Sequence, residues 1–511
     1  MESKNAKPKN KQSNPNKKKS RPTPTPKAVP ESFSQKLGHL LADGLVKDTR
    51  HLEDSLNLVD RLAFAKSLTK GITTTTTTIS TTIRKEEIIF KSQDPESSTE
   101  NLATEVANSH HHKVPKLIFD LNDFAALAAL EGLIEQYGRV SHMGILDKSY
   151  TFFITVDRKA ALYYKVKDKI AVVGGHPLCE PSLFPQVLSE FEKYRKKHSW
   201  GIAFLGAGEV FVEHMQKQSW TTMCFGVERV LNPMTNPVLH GNAGKSITRI
   251  SKNLLDPKKE GVTVEVYTPR LGKNVKLQQQ LVRVYEEWRD ARNCSTRPQA
   301  FITVYDPFAL PELMTYIYTK DRNGIPNGFA ALRILGANKG YHLDPYVATP
   351  GAPKGITDLL LYATMALLDT AKISYLSLGY EPISDLGAIT GMAKPLAKIS
   401  RKVHRRIFQN LQVAGKKDFH DKFRPDETQQ SNLFIVFPPG IPSLRHMTAI
   451  VHVANIKLRQ VAFAKPMWRP GGRESKDLPG GHDDKDSPRT SGDQSTDNST
   501  RANSTDVLTS D

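Results

Sequence analysis

Asp344 raises the first chemical question. It follows Tyr341-His342-Leu343 in a stretch whose composition reads as a core strand. Side chains alternate along a strand, so Leu343 and Asp344 face opposite sides. A carboxylate in an apolar setting resists ionisation, which makes it a candidate general base or ammonium binder. A strand-end Asp capping a loop explains it equally well, and both readings stand. Cations form the second group. Lys245, Arg249 and Lys252 fall at i, i+4 and i+7 of a helical pattern opening near Gly244, opposite Ile247, Ile250 and Leu254. Between Leu386 and Lys417 stand Lys394, Lys398, Arg401, Lys402, Arg405, Arg406, Lys416 and Lys417 with no acid among them. Such a run repels itself unless a polyanion neutralises it, which points to RNA phosphates; a solvated helix face would mix the signs. Third, Gly351-Ala352-Pro353-Lys354-Gly355 precedes an apolar helical stretch. Glycines there let a ligand approach the free N–H groups of a helix start, and a tight loop accounts for them too. His110-His111-His112 has no carboxylate or cysteine at ligand spacing, so it reads as low-complexity loop and no metal is expected.

No Walker loop, G-x-S-x-G elbow or H-E-x-x-H occurs, and the acyl-CoA fingerprint of acetyltransferases is missing. The elements that must carry the candidate residues read as two mixed halves. In the first, strands are expected at 150–156, 161–166 and 169–173, the last two forming a hairpin around Lys167-Asp168. A helix at 183–197, a strand at 201–205, a helix at 209–218, a strand at 222–230, a helix at 246–255 and a strand at 262–267 close that half. The second half opens with a helix at 276–292 and strands at 312–319, 329–335 and 339–346. A helix at 356–371, apolar nearly all round, and a strand at 373–378 follow. The periodicity supports an α+β class with two halves. A meander, a helix and another strand is the layout of a GNAT-like (acetyltransferase-like) domain.

Composition sets the boundaries. The chain has 511 residues and a net charge of +18. Residues 1–32 read as a disordered basic arm, 33–70 as a helical segment and 71–113 as a low-complexity linker. Residues 114–268 and 269–468 are the expected GNAT-like domains, and 469–511 an acidic disordered tail. Cys179, Cys224 and Cys294, odd in number and far apart, exclude a disulfide framework and a Cys-rich zinc site. No apolar run is long enough to span a bilayer, and the Lys-rich N-terminus is no secretory signal. A cytoplasmic protein is expected.

In this order and spacing the pieces resemble a known family. They are Ser141-His142 with Asp147-Lys148, Val173-Gly174-Gly175-His176-Pro177, and the basic helix with Lys245 and Arg249. Tyr341-His342-Leu343-Asp344 and Lys354-Gly355-Ile356-Thr357-Asp358-Leu359-Leu360 follow, then Leu378-Gly379-Tyr380-Glu381-Pro382 and Lys422-Phe423-Arg424-Pro425. Over about 114–440 the chain resembles the C-terminal domain of bacterial phosphatidylglycerol lysyltransferases of the multiple-peptide-resistance type. These move an amino acid from aminoacyl-tRNA to a lipid hydroxyl. Two tandem GNAT-like domains with disordered N- and C-terminal tails are what the resemblance implies for the fold. Two departures matter. The bacterial pattern has Gly-Asp-Pro where this chain has Gly175-His176-Pro177, and Asp-x-x-Arg where it has Asp344 and Val347. Loss of an Arg near a phosphate-bearing acceptor argues for another lipid. The resemblance therefore leans to the free-standing fungal branch that makes ergosteryl-3β-O-glycine.

The resemblance implies a charged tRNA, glycyl-tRNA in that branch, as donor and a membrane sterol as acceptor. Glycyl-tRNA synthetase is a further partner it admits. The donor ester is already activated, so no cofactor is implied. Asp344 and His142 would be catalytic. Lys354, Gly355, Gly379 and Glu381 would bind substrate. Lys245, Arg249, Lys252, Arg401, Arg405 and Arg406 would bind tRNA. Peripheral contact with intracellular membranes or lipid droplets would follow. Transfer to a glycerolipid such as phosphatidylglycerol, and a non-catalytic RNA-binding GNAT-like protein, are the alternatives.

Overall fold

The computed structural model describes residues 31–45, 58–62, 117–120, 124–294, 305–409, 414–440 and 442–456. The basic arm to residue 30, the 71–113 linker with its three histidines, and the 469–511 tail lie outside the described residues.

Thirteen strands form one mixed sheet among the described residues. They are β1 Ile118–Phe119, β2 Thr151–Ile154, β3 Ala161–Lys167, β4 Ile170–Gly174, β5 Gly201–Ala207, β6 Thr221–Leu231, β7 Thr263–Tyr267, β8 Met314–Lys320, β9 Pro326–Leu335, β10 Gly340–Ala348, β11 Leu376–Pro382, β12 Ile389–Thr390 and β13 Asn432–Phe437. The spatial order is β1-β2-β3-β4-β5-β13-β6-β11-β10-β9-β8-β7, with β12 beside β6. The helices are α1 Phe33–Leu45, α2 Phe124–Tyr137, α3 Phe184–Lys197, α4 Glu209–Lys217, α5 Pro237–His240, α6 Lys245–Leu255, α7 Val275–Asn293, α8 Ile356–Thr370, α9 Lys394–Gln409, α10 Ala414–Asp421 and α11 Leu444–Val453.

One unit occurs twice. β2, β3 and β4 form an antiparallel meander, α3 follows, and β5 pairs parallel to β4. Likewise β8, β9 and β10 form a meander, α8 follows, and β11 pairs parallel to β10. The turn between β3 and β4 is a two-residue one, Asp168 and Lys169 both at positive φ, which matches the strand twist of a hairpin. The nearly all-apolar pattern of α8 has its physical reason in the core. It lies between the sheet and a layer holding α1 and α6, and every residue from Leu359 to Leu368 is buried. The opposite face of β8–β10 is covered by α2 and α7, and β2–β5 is covered by α3 and α4 on one side and α11 on the other.

The two units are interlaced. β6 leaves the first and pairs with β11 of the second, while β13, last in the chain, inserts between β5 and β6. β7, expected to close the first half, instead pairs with β8 at the far edge of the sheet, and α6 packs on α8. Each unit needs an outer strand beyond its parallel pair, and the chain supplies it by exchange rather than locally.

Candidate functional site

β10 and β11 are partners only at Tyr341–Leu376 and His342–Ser377. Beyond that level they part. β10 bulges against β9 between Leu343 and Tyr346, and β11 bulges against β6 between Ser377 and Tyr380. Two bulges at one level open a cleft at the carboxyl end of the parallel pair, where a sheet has free edges to offer a ligand. Asp344 stands there, keeping some exposed surface. Burial pushes its carboxyl above the usual carboxylate range, while Lys416, a hydrogen bond from Tyr305 and the Arg333 guanidinium pull it back. Arg333, the register partner of His342, is almost fully buried, and burial lowers its guanidinium to about 10.

Gly379 and Glu381 come to the same place. Gly379 has φ +86, and a side chain there would stand 3.4 Å from His342 Nε2 and 3.8 Å from Lys416 Nζ. Glycine therefore both adopts the turn and leaves the cleft open. Glu381 accepts a hydrogen bond from His420 Nδ1 at 2.8 Å, and its other oxygen lies 3.4 Å from Arg229 Nε. Since Nδ1 carries the proton, His420 Nε2 accepts from the Tyr346 hydroxyl at 2.9 Å. Tyr346, His420 and Glu381 thus form a continuous hydrogen-bonded chain beside Asp344. Burial holds the His420 imidazole below its ordinary range, and Glu381 acts against it. The phenol of Tyr346 is pushed up by burial and by the charges of Asp344 and Glu381.

His142 is placed differently from a proton shuttle. It lies in the 3₁₀ turn Val140–Leu146 and is fully buried. Its Nδ1 accepts from the Arg139 backbone N–H at 3.1 Å, so Nε2 donates to the His176 carbonyl at 2.8 Å. Both ring nitrogens are occupied, and desolvation lowers the imidazole to about 3. Its connection to the cleft is indirect: Arg333 donates to the His142 carbonyl at 3.3 Å. The geometry suits a residue that holds the 139–142 backbone and Arg333 in place.

The remaining candidates spread over other surfaces. Gly355, φ +97, caps α8, and a side chain there would meet Ile250 Cγ2 at 2.4 Å, so packing against α6 accounts for it; Lys354 is exposed. Lys245, Arg249 and Lys252 are exposed on α6 while Ile247, Ser251 and Leu254 are buried, and Lys252 Nζ lies 5.3 Å from the Phe33 ring centre. On α9, Arg401 donates to the carbonyls of Leu386 and Gly387, and Arg405 pairs with Asp385 at 2.5 Å. Those two guanidiniums are spent within the protein; Arg406 is exposed and is not without a partner of its own.

Reading the sequence by itself misses His420, Tyr346, Lys416, Arg333 and Arg229 as members of one site. Tyr346 could not be placed by strand alternation, because the bulge between Leu343 and Tyr346 breaks the two-residue period there. His420 carried only its place just before Lys422-Phe423-Arg424-Pro425.

A family model described as "Phosphatidylglycerol lysyltransferase, C-terminal" matches residues 132–433. The lysylphosphatidylglycerol biosynthesis bifunctional protein LysX of Rhodococcus jostii (strain RHA1) is 24% identical over 285 residues, covering 54% of this chain and 24% of the relative. Its counterpart in Mycobacterium marinum is 23% identical over 285 residues, with the same coverage. The chain spans about a quarter of the length of the curated relatives it matches. Among solved structures, L-PGS from Bacillus licheniformis superimposes with a TM-score of 0.51 at 18% identity, covering 65% of this chain and 97% of that chain. The C-terminal domain (DUF2156) of a putative lysylphosphatidylglycerol synthetase from Agrobacterium fabrum gives 0.50 at 14% identity, with coverage of 65% and 97%. These likenesses show a shared mixed α/β fold.

Proposed function

The chain belongs to the phosphatidylglycerol lysyltransferase C-terminal family, and from that membership we propose that it transfers an aminoacyl group from a charged tRNA to the hydroxyl of a membrane lipid. The observation that carries the chemistry is the Tyr346–His420–Glu381 chain beside Asp344, at the mouth of the parted β10 and β11. The acceptor hydroxyl oxygen attacks the aminoacyl carbonyl carbon. Its proton passes to the Tyr346 oxygen as the Tyr346 proton moves to His420 Nε2. Glu381 stabilises the imidazolium that forms. The carbonyl-to-ribose bond then breaks, and the proton returns along the same path to the ribose oxygen that leaves. A neutral imidazole is the state such a base needs, and burial favours it. Asp344 holds the α-ammonium of the donor, and Lys416 donates to the carbonyl oxygen as it gains charge. Lys245 and Arg249 on α6 hold tRNA phosphates.

The acceptor we favour is a sterol 3-hydroxyl, as in ergosterol, with glycine as the amino acid and glycyl-tRNA as its carrier. Position 347 supports a phosphate-free acceptor. Where the bacterial pattern carries arginine, this chain has Val347, only 1% exposed in the apolar core. The repeated meander–helix–parallel-strand unit supports a tandem GNAT-like ancestry, with the 114–268 and 269–468 regions as its two exchanged halves.

The test is mass spectrometry of lipids from two parallel assays, one with ergosterol and one with phosphatidylglycerol, each given charged tRNA. A new aminoacyl-lipid that disappears with RNase is expected. Tyr346→Phe and His420→Gln should each lower its formation by about 10²-fold or more. Product made from acetyl-CoA without RNA would overturn the reading.

A further inference from the structure

We infer that α9 is a membrane-docking helix that lies in the surface of an anionic bilayer. Its cations suit RNA phosphates, but its outer face also carries apolar side chains that RNA phosphates would leave in water. The helix is fixed to the protein along one side. Arg401 donates to the Leu386 and Gly387 carbonyls, His404 Nε2 lies 2.8 Å from the Ile383 carbonyl, and Arg405 pairs with Asp385. Helical spacing puts Leu396, Ile399, Val403 and Ile407 on the other side. Ile399 is 58% exposed and Val403 48%, and no residue of α9 is buried. Leu396 and Ile407 are half-buried, and a strongly amphipathic helix that leaves the middle of its apolar stripe this open is normally completed by something outside the fold. Lys398, Lys402 and Arg406 run at i, i+4 and i+8 along one border of the stripe, and α9 contains no acid.

The charge on that border chooses the occupant. Phosphates of RNA would meet the cations and leave Ile399 and Val403 in water. A bilayer takes both: the apolar stripe enters the headgroup–acyl boundary while the cations face anionic headgroups. The helix also leads along the chain into α10, which carries Lys416 and His420 of the cleft. Docking through α9 would bring the cleft to the layer where a lipid hydroxyl lies. In that respect the inference deepens the proposed transfer to a lipid acceptor, but docking requires no turnover, so either can fail alone.

The full chain is mixed with vesicles of phosphatidylcholine, with and without phosphatidylserine, in the absence of tRNA. Binding should require the anionic lipid. Ile399→Ser with Val403→Ser keeps every charge and should weaken binding roughly tenfold or more. Its melting temperature and tRNA binding should stay as in the wild type, because neither side chain is buried. A local probe separates α9 from the basic arm. With Cys294→Ser as background, an environment-sensitive dye on Ile399→Cys should shift to the blue when vesicles are added. Unchanged vesicle binding in the double serine variant, or a dye that senses no lipid, overturns the inference. Loss of tRNA binding with vesicle binding retained would overturn it too and assign the face to RNA.

Discussion

A single histidine illustrates how little a residue's type says about its use. His142 has the chemistry of a proton shuttle, yet both its nitrogens are committed to backbone groups of Arg139 and His176. His142→Ala would leave a part-buried N–H and a buried carbonyl without partners, the carbonyl at roughly 1–3 kcal/mol and the N–H at less. The expected outcome is a lower melting temperature with little loss of turnover per folded molecule at a temperature where the variant is folded. A large loss of turnover without loss of stability would return His142 to the chemistry. The same burial sets a pH dependence. The His142 imidazole falls from an ordinary 6.5 to about 3, and His176 and His342 are lowered by desolvation as well. Between those values the unfolded chain binds protons that the folded chain refuses, so stability falls as pH drops below 6.5. Each such histidine withdraws up to about 1.4 kcal/mol per pH unit. Melting curves at stepped pH should show this loss, and His142→Gln should flatten part of it.

At the scale of elements, α6 is the test of donor binding. Lys245 and Arg249 are exposed and pair with no acid among the described residues. Lys245→Glu with Arg249→Glu should weaken tRNA binding and reduce the log–log salt slope by about 0.7–0.9 for each lost phosphate contact. An unchanged slope in a titration against tRNA would move the donor to another face. The amphipathic spacing of α6 was readable in the sequence because it is local. So was β10, whose alternation put Asp344 on a strand. The Tyr346–His420 hydrogen bond was not readable: it joins residues 74 positions apart, and only the folding of α10 against the sheet creates it. The roles of Arg401 and Arg405 were hidden for a similar reason. Their partners are carbonyls and a carboxylate on the 385–387 loop, and composition cannot distinguish a cation already satisfied from one waiting for phosphate.

For the whole molecule the controlling fact is the exchange of strands. A cut near residue 268 severs no helix, but it divides the β6–β11 and β13–β5 ladders between two polypeptides. Expressed alone, 114–268 and 269–468 should each be insoluble or lack cooperative melting. Expressed together they should associate into one species with a single transition. Two independently soluble, cooperatively melting fragments would contradict the interlaced sheet. Periodicity did locate each meander and the helix that follows it, since those patterns are local. It could not show that each half borrows a strand from the other, because ladder partners leave no local mark.

The late position of β13 also has a consequence for synthesis. About two hundred residues separate Leu231 from Asn432, which at about 5–20 residues per second takes on the order of 10–40 s on the ribosome. Throughout that interval β5 and β6 each keep the edge meant for β13 unpaired, the kind of surface on which neighbouring nascent chains pair. Substitutions in β13 such as Ile435→Lys should therefore act first on the yield of soluble protein in the cell, before any effect on catalysis is measurable.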